Sequence, residues 1–583
     1  MASLSLTTKP NAFAFSGALR LLITKKKKDV VPVFCSCNNG NDVRNEYMLA
    51  TKGSKSEVSH VVPSKGTNPT YPTKDLDEGI GIIRFLKGKH LFITGATGFF
   101  AKVLIEKILR MMPDIGKIYV LIKAKNKDAA MSRLKSEIIN CEVFSSLREI
   151  HGKDYEDFMI RKLMPVVGNV MEARLGMQGG LADEISEEVD VIVNSAANTT
   201  FDERYDAALD INTMGPFRLM SFARRCKKLK LFVHVSTAYV NGQRQGRVLE
   251  EPLSIGDTIV PETIVSSDVS EKSIPFLDIG TEMKLAFSSA GRTTSGASST
   301  QDMKDLGLTR ANTHGWADAY TFTKAMGEMV INSMRGDIPI VIVRPSIIES
   351  TFKEPFPGWI EGSRMMDPLV LYYGKGKIAG FVGDPNGVLD VVPVDMVVNA
   401  TLAALAKHGQ RMENGMQIYH VGSSVAHPLL IKDLVSSFYE HFEATPCFDS
   451  NGKPIVVSPF KLFIDKADFS TNNLNDIVGS GKSGVDGVSE KHSQRTKSVL
   501  VKYVEQLKYL ATLYEPYTFC AVRFDDTNTR KLMQEMSKEE MRSFDFDVRG
   551  IAWDDYIANV HIPGLRKYVM KERGVNVVSD AEK

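Results

Sequence analysis

The sequence predicts an α/β fold: a doubly wound parallel sheet with a smaller, mainly helical domain after it. Three observations carry this. Short, continuous apolar runs recur through the first two thirds of the chain and read as strands covered on both faces. Segments with apolar residues at helical spacing separate most of them, as crossovers between parallel strands require. From about residue 498 the pattern turns helical and aromatic. The chain has 583 residues, 43% hydrophobic and 24% charged, which excludes a disordered chain, a collagen and a coiled coil. Lys+Arg is 72 against Asp+Glu 70, so charge gives no sign of a nucleic-acid partner. No run of 18 apolar residues occurs, so no transmembrane span is expected.

Taken in order, residues 1–28 hold no Asp or Glu but carry Lys9, Arg20 and the run Lys25–Lys28 among Ser, Thr and Ala. The basic cluster follows the apolar segment Ala18–Ile23, the reverse of a secretory signal. With Val33–Cys37 this reads as a plastid transit peptide over 1–37, and the polar stretch 38–85 as a flexible linker. A first domain is expected over 86–430 and a second over 431–583. The strands begin with Leu91–Thr94 and continue with Lys117–Ile122, Met164–Val167, Val189–Val193, Lys230–Val235 and Ile338–Val343. The polar segments 289–305 and 468–497 are expected as surface loops. The six cysteines form no CxxC pair and no set with His at ligand spacing, so no metal centre is expected.

The first strand runs into Thr94-Gly95-Ala96-Thr97-Gly98-Phe99-Phe100-Ala101, which opens a helix. Glycines allow the tight turn and let backbone N–H groups approach a pyrophosphate at the helix N-terminus. The spacing departs from the commoner Gly-x-Gly-x-x-Gly, with Ala101 in the third position. Lys123 and Lys125 follow the second strand, where an NAD enzyme offers an acid to the ribose. Cations there suit a 2′-phosphate, so the expected cofactor is NADPH. Gly168-Asn169-Val170 is expected to border the adenine. Ser195-Ala196-Ala197-Asn198 is expected under the ribose and pyrophosphate.

Tyr-x-x-x-Lys places a phenol and an ammonium one helical turn apart, so that the cation favours the phenolate. The chain holds this pattern three times. Tyr119/Lys123 lies on a strand and Tyr373/Lys377 spans two glycines; only Tyr320/Lys324 continues into a credible helix. A strand-end hydroxyl should sit beside the phenol to hold a carbonyl oxygen, with Thr237 ranked first and Ser236 second.

The Thr94–Ala101 turn, the Ser236–Gly242 strand end, Tyr320/Lys324 and Val343–Ile348 together resemble the extended short-chain dehydrogenase/reductases. Gly315-Trp316, Glu354–Trp359 and Asp390–Asp395 are similar to alcohol-forming fatty acyl reductases. So are Tyr514–Tyr517, Phe524-Asp525, Phe544–Asp547 and Trp553–Tyr556, which resemble the sterile domain of that family. The resemblance spans about residues 85–575. It implies a Rossmann-type NADPH-binding domain and catalysis by Tyr320, Lys324, Thr237 and Ser236. Asn212, Pro345, Tyr320 and Lys324 are among the expected cofactor contacts. The implied reaction is four-electron reduction of a long-chain acyl thioester to a primary alcohol. The implied carrier is acyl carrier protein (ACP) first and coenzyme A second, in a plastid, for pollen exine or another extracellular lipid. Peripheral membrane contact is left open. The competing enzyme reading is a two-electron reductase of a sterol, flavonoid or sugar nucleotide. The basic stretch Arg224, Arg225, Lys227, Lys228 and Lys230 reads as a solvated face before it reads as a carrier dock.

Overall fold

The computed structural model describes residues 79–259, 275–292, 296–469 and 505–572, with Gly574, Val575 and Val577. The expected transit peptide, most of the linker and nearly all of 468–497 lie outside the described residues. Seven strands make one sheet: β1 Leu91–Thr94, β2 Ile118–Ile122, β3 Leu163–Val167, β4 Val191–Asn194, β5 Leu231–Val235, β6 Ile340–Pro345 and β7 Met416–Val421. Their order is β7-β6-β5-β4-β1-β2-β3 and every pairing is parallel. Leu91 of β1 stands opposite Ile118 on one side and Val191 on the other. The winding reverses between β1 and β4, and ligands bind at the carboxyl ends of strands at such a point. β7 was not legible in the sequence, because Gln417 and His420 interrupt its apolar run.

Six helices matter for the site: α1 Phe99–Met111, α2 Tyr205–Asn212, α3 Met214–Ala223, α4 Ala319–Met334, α5 Val394–Arg411 and α6 Ile431–Ala444. α4 packs on α2 and α3, and α5 packs on α1. The pattern of α1 suggests a polar outer face, yet Lys102, Glu106 and Lys107 are buried with the rest. Each is paired: Lys102 with Glu361 at 2.7 Å, Glu106 with Arg110 at 2.7 Å, and Lys107 with Glu354 and the Ser543 carbonyl. The cover is the C-terminal region, whose Phe544 ring lies under the Lys107 ammonium. Buried charges persist only when paired in this way.

Two expectations need correction. Residues 79–85 are not linker. Ile82–Leu86 is a short helix with Ile82, Phe85 and Leu86 buried, and the Glu540 carboxylate accepts from the N–H groups of Ile80, Gly81 and Ile82 at 2.8, 2.6 and 2.9 Å. The segment 289–305 is not a loop either. Its described residues, 289–292 and 296–305, belong to helices Ile279–Arg292 and Gly296–His314. Buried Met303 and Ala311 anchor the second of these, so tertiary packing overrides its polar composition.

The C-terminal region is knitted into the first. Val522–Phe524 pairs with Gly246–Val248, and Lys461–Phe463 pairs with Gly380–Val382. One apolar core runs from Leu91 through α5 and α6 to Tyr556 and Leu565, so no gap in the core marks residue 430. No helix among the described residues is long and apolar enough to cross a membrane.

Candidate active site

The turn after β1 is shaped by its glycines. Gly95 has φ +71°, and a Cβ there would stand 2.7 Å from the Ala196 nitrogen and 2.8 Å from the Ser195 oxygen. Gly98 caps α1 without a side-chain bond, so the first backbone N–H groups of the helix are left for a ligand. Behind the turn, Thr94 Oγ1 donates to Asn194 Oδ1 at 2.7 Å and Ser195 Oγ donates to the Thr94 carbonyl at 2.7 Å. These bonds lock the ends of β1 and β4 side by side. Asn198 and Asn212 clasp each other: Asn198 N–H donates to Asn212 Oδ1 at 2.9 Å and Asn212 Nδ2 donates to the Asn198 carbonyl at 3.0 Å. Gly327 of α4 lets the Asn212 carbonyl approach, since a Cβ there would lie 2.2 Å from that oxygen.

Thr237 and Tyr320 are far apart in sequence, and the chain staples them together. Trp316 Nε1 donates to the Val240 carbonyl at 2.8 Å and Gln243 N–H donates to the Gly315 carbonyl at 3.0 Å. Gly315 has φ +93° and no room for a Cβ, which would sit 1.2 Å from the Ile259 oxygen. The Gly-Trp pair is therefore a structural clamp between the β5 strand end and α4. Asp318 caps α4 by accepting from Thr321 N–H at 2.8 Å, and Tyr517 of the C-terminal region donates its hydroxyl to the same carboxylate.

Tyr320, Thr237, Ser236 and Lys324 all line one cavity of about 380 Å³ with Gly95, Gly98 and the first turn of α1. Thr237 hydrogen-bonds the Tyr320 phenol. Among the described residues, Ser236 Oγ is buried with no hydrogen-bond partner. The charge state of Tyr320 corrects an expectation. Burial and then the Asp318 carboxylate push its phenol up, against Arg364 and Thr237. Lys324 does not act on it: its Nζ donates to the Val235 carbonyl at 2.8 Å and contacts His234 Nε2 at 3.3 Å. Burial brings Lys324 down to about 8, opposed by Glu328.

Ser195, Ala197, Phe99, Phe100 and Pro345 also line the cavity, while Ala96, Thr97, Ala196 and Asn198 stand behind or beside it. Asn212 is buried beneath. Lys123 and Lys125 are exposed just past β2, next to the β1 turn in the sheet. Gly168, Asn169 and Val170 follow β3 at the sheet edge, away from the cavity lining. The basic stretch 224–230 sits at the opposite, amino end of β5. There Arg225 pairs with Asp183 and Lys227 with Glu187, as a solvated face would. Tyr373 ends a helix instead of lying in a loop, and its hydroxyl donates to the Ser458 carbonyl at 2.6 Å.

Sequence reasoning missed the other wall. Phe201, Arg364, Met365, Leu510, Leu513, Tyr514 and Tyr517 close the cavity. Tyr514 and Tyr517 left a signal only as likeness to the sterile domain, and Asp318 beneath left one as the Asp-x-x-Thr cap around Tyr320. A second, almost wholly apolar pocket shares Met365, Tyr514 and Tyr517 with the first and runs toward Phe381, Leu434 and Phe438. The residues fit a dinucleotide: a glycine turn that a Cβ would fill, a free helix N-terminus and an unpartnered buried hydroxyl in one cavity.

Two family models, both described as "Male sterility protein", match this sequence; the first, an NAD-binding one, covers residues 93–401 and the second 491–572. Chloroplastic fatty acyl-CoA reductase 2 of Arabidopsis thaliana is 57% identical over 85% of this chain and 81% of its own length. Fatty acyl-CoA reductase 1 of that plant is 40% identical over 84% and 99%. The alcohol-forming fatty acyl-CoA reductase of Simmondsia chinensis is 37% identical over 85% and 100%. A phenol and a hydroxyl beside a dinucleotide turn, on a chain of this likeness, leave one assignment: it is an enzyme of the fatty acyl reductase family.

Proposed function

We propose that this chain reduces a long-chain fatty acyl thioester to a primary alcohol with two NADPH, in a plastid. The observation that carries the reading is one cavity lined by Tyr320 and Thr237 together with the apolar Leu510, Leu513, Tyr514 and Met365. The adjoining apolar pocket extends the path available to an acyl chain. Lys123 and Lys125 support NADPH over NADH, because no acid stands at the end of β2. The chloroplastic relative and the acid-free N-terminus support the plastid. Acyl carrier protein is the first choice of carrier and coenzyme A the second. Pollen exine or another extracellular lipid is the destination the family description supports.

NADPH, when bound, supplies hydride to the carbonyl carbon. Thr237 and Tyr320 hold the carbonyl oxygen, and their donors face the charge that develops on it. Tyr320 is protonated across neutral pH, which suits a group that must give a proton. The thiohemiacetal then loses its thiol, and the aldehyde is held by the same pair for the second reduction. No cysteine nucleophile is needed.

Expression of residues 38–583 in a host that makes no fatty alcohol should yield long-chain alcohols. A Tyr320→Phe variant should yield none while still binding NADPH. Undiminished alcohol from that variant would end the assignment of Tyr320. Competition between palmitoyl-ACP and palmitoyl-coenzyme A ranks the carriers.

A further inference from the structure

A buried polar cluster lies behind the cavity, where the C-terminal region meets the first. Glu349 ends the short strand Ile347–Glu349, Asp367 opens the helix Asp367–Gly374 and His561 ends the helical turn Tyr556–His561. The three are 1%, 1% and 0% exposed. They stand too far apart in the chain to show any ligand spacing, so no local pattern announces them. One nitrogen and two carboxylates converge. Nε2 of His561 stands 3.0 Å from Asp367 Oδ1 and 3.7 Å from Glu349 Oε2, and one atom from each residue lies within 4.8 Å of the others. Hydrogen bonds on the far side of the ring fix its tautomer. Tyr556 donates its hydroxyl hydrogen to the Ser350 carbonyl at 2.8 Å, so the Ser350 hydroxyl, 3.3 Å away, is the donor to Tyr556 Oη. Ser350 Oγ then accepts from His561 Nδ1 at 3.1 Å. With its hydrogen on Nδ1, a neutral ring turns the Nε2 lone pair toward two carboxylates.

Three acceptors that face one another with no hydrogen among them need a positive charge between them. A proton on Nε2 serves the Asp367 contact alone. Glu349 would still be a buried carboxylate, and its Oε1 has no hydrogen-bond partner among the described residues. Among those residues the ion pairs of Glu349 and Asp367 are with His561 only. Arg364, whose charge also reaches Glu349, is exposed and keeps its guanidinium on the Glu361 carbonyl. We propose that Glu349, Asp367 and His561 form a binding site for one divalent metal ion, which joins the C-terminal region to the wall of the cavity. Two positive charges match the two carboxylates while His561 stays neutral. Adjacent ligand atoms about 2.1 Å from a cation are roughly 3.0–3.4 Å apart, near the 3.0 and 3.7 Å found around Nε2. The supports are those of a ligand set: Ser350 holds the far nitrogen of the ring, and the Arg364 N–H donates to Asp367 Oδ2 at 2.8 Å. One imidazole with two carboxylates suits Zn²⁺ or Mn²⁺ better than Ca²⁺, which takes all-oxygen cages. Ile348 and Pro368, the chain neighbours of Glu349 and Asp367, line the cavity, whereas the three ligands do not. The ion therefore holds the wall and takes no part in the reduction.

The test is the metal affinity of the untagged full chain, and it reads no alcohol, so it stands apart from the proposed function. Protein stripped with EDTA and titrated by calorimetry with Zn²⁺ alone and with Mn²⁺ alone should bind one of them at about one ion per chain, and its thermal unfolding should move up with that ion. Ser350→Ala leaves every ligand in place and should weaken binding of the same ion by about tenfold. Glu349→Gln and Asp367→Asn keep the side-chain volume, remove a ligand charge and should weaken it further. Without metal, Glu349→Gln should unfold no earlier than the stripped wild type, because it removes a buried charge; this separates loss of the ion from loss of the fold. If a carboxylate variant does not fold, Ser350→Ala alone reads the site. Three results overturn the proposal: no binding of either ion, no upward shift in unfolding with either, or an affinity unchanged in the variants. The first two leave the cluster to shared protons, and the third places the ion elsewhere on the chain.

Discussion

On the side proposed for the cofactor, most of the wall comes from one short stretch, Gly95–Ala101, whose glycines leave backbone facing the cavity. On the substrate side Phe201, Arg364, and Leu510 with Tyr517 arrive from three distant segments, and side chains form the surface. The first wall is fixed by backbone conformation and so appears in sequence as glycines at set positions. The second is fixed by how the C-terminal region folds back over α1 and α4. Substitutions should separate the two walls, since one controls nucleotide affinity and the other controls stability and acyl fit.

The largest effect falls where the walls meet. Tyr320→Phe removes the proton donor and should lower alcohol formation by about 10²–10⁴-fold, with thermal unfolding little changed. Next is Gly95→Ala. It forces a Cβ at φ +71° against Ala196 and Ser195, and strain of about 1–3 kcal/mol should weaken NADPH binding tenfold or more by titration. A Lys123→Glu, Lys125→Glu pair should raise KM for NADPH by about tenfold and leave that for NADH nearly unchanged, because only the 2′-phosphate contact is charge-assisted. Equal changes for both nucleotides would remove these lysines from the site. Tyr517→Phe belongs to the other wall. It takes the hydroxyl donor from Oδ2 of the buried Asp318 carboxylate, leaving only the Thr321 cap at Oδ1, and should cost about 1–3 kcal/mol of stability by denaturant unfolding, with NADPH affinity retained. Loss of NADPH binding there would show that the walls are not separable.

A last effect is spread through the core and adds up over three histidines. Burial holds His408 and His420 at about 3 and His441 at about 4, while in the unfolded chain each titrates near the model value 6.5. The unfolded state therefore binds more protons between these limits. Their stabilising contribution is complete above about 6.5 and is lost as pH falls, at about 1.4 kcal/mol per pH unit for each histidine. Denaturant unfolding at stepped pH values would show it; a flat stability between pH 7 and 5 would contradict it.

What was legible follows the same division. The six strands read from apolar runs, the Gly95–Gly98 turn and the Tyr320/Lys324 helix each lie within a few contiguous residues. β7 escaped because its apolar run is broken by the exposed Gln417 and by His420, which the sheet buries and which no local pattern announces. The helix Gly296–His314 escaped because buried Met303 and Ala311 outweigh its Ser and Thr content. The shared motifs Gly315-Trp316 and Asp390–Asp395 were legible as resemblance, but their task is structural. Asp395 accepts from the N–H groups of Phe352, Lys353 and Glu354, and Asp390 from those of Ser423 and Ser424. The partners of Lys324 were not legible because its nearest polar neighbours, Val235 and His234, come from β5 and not from its own helix.

The central claim is that one cavity performs both reductions on one acyl chain. The most direct measurement is the amount of NADPH oxidised per primary alcohol released by the purified enzyme from a palmitoyl thioester. The account predicts two; one NADPH per product, with aldehyde as the end product, would contradict it.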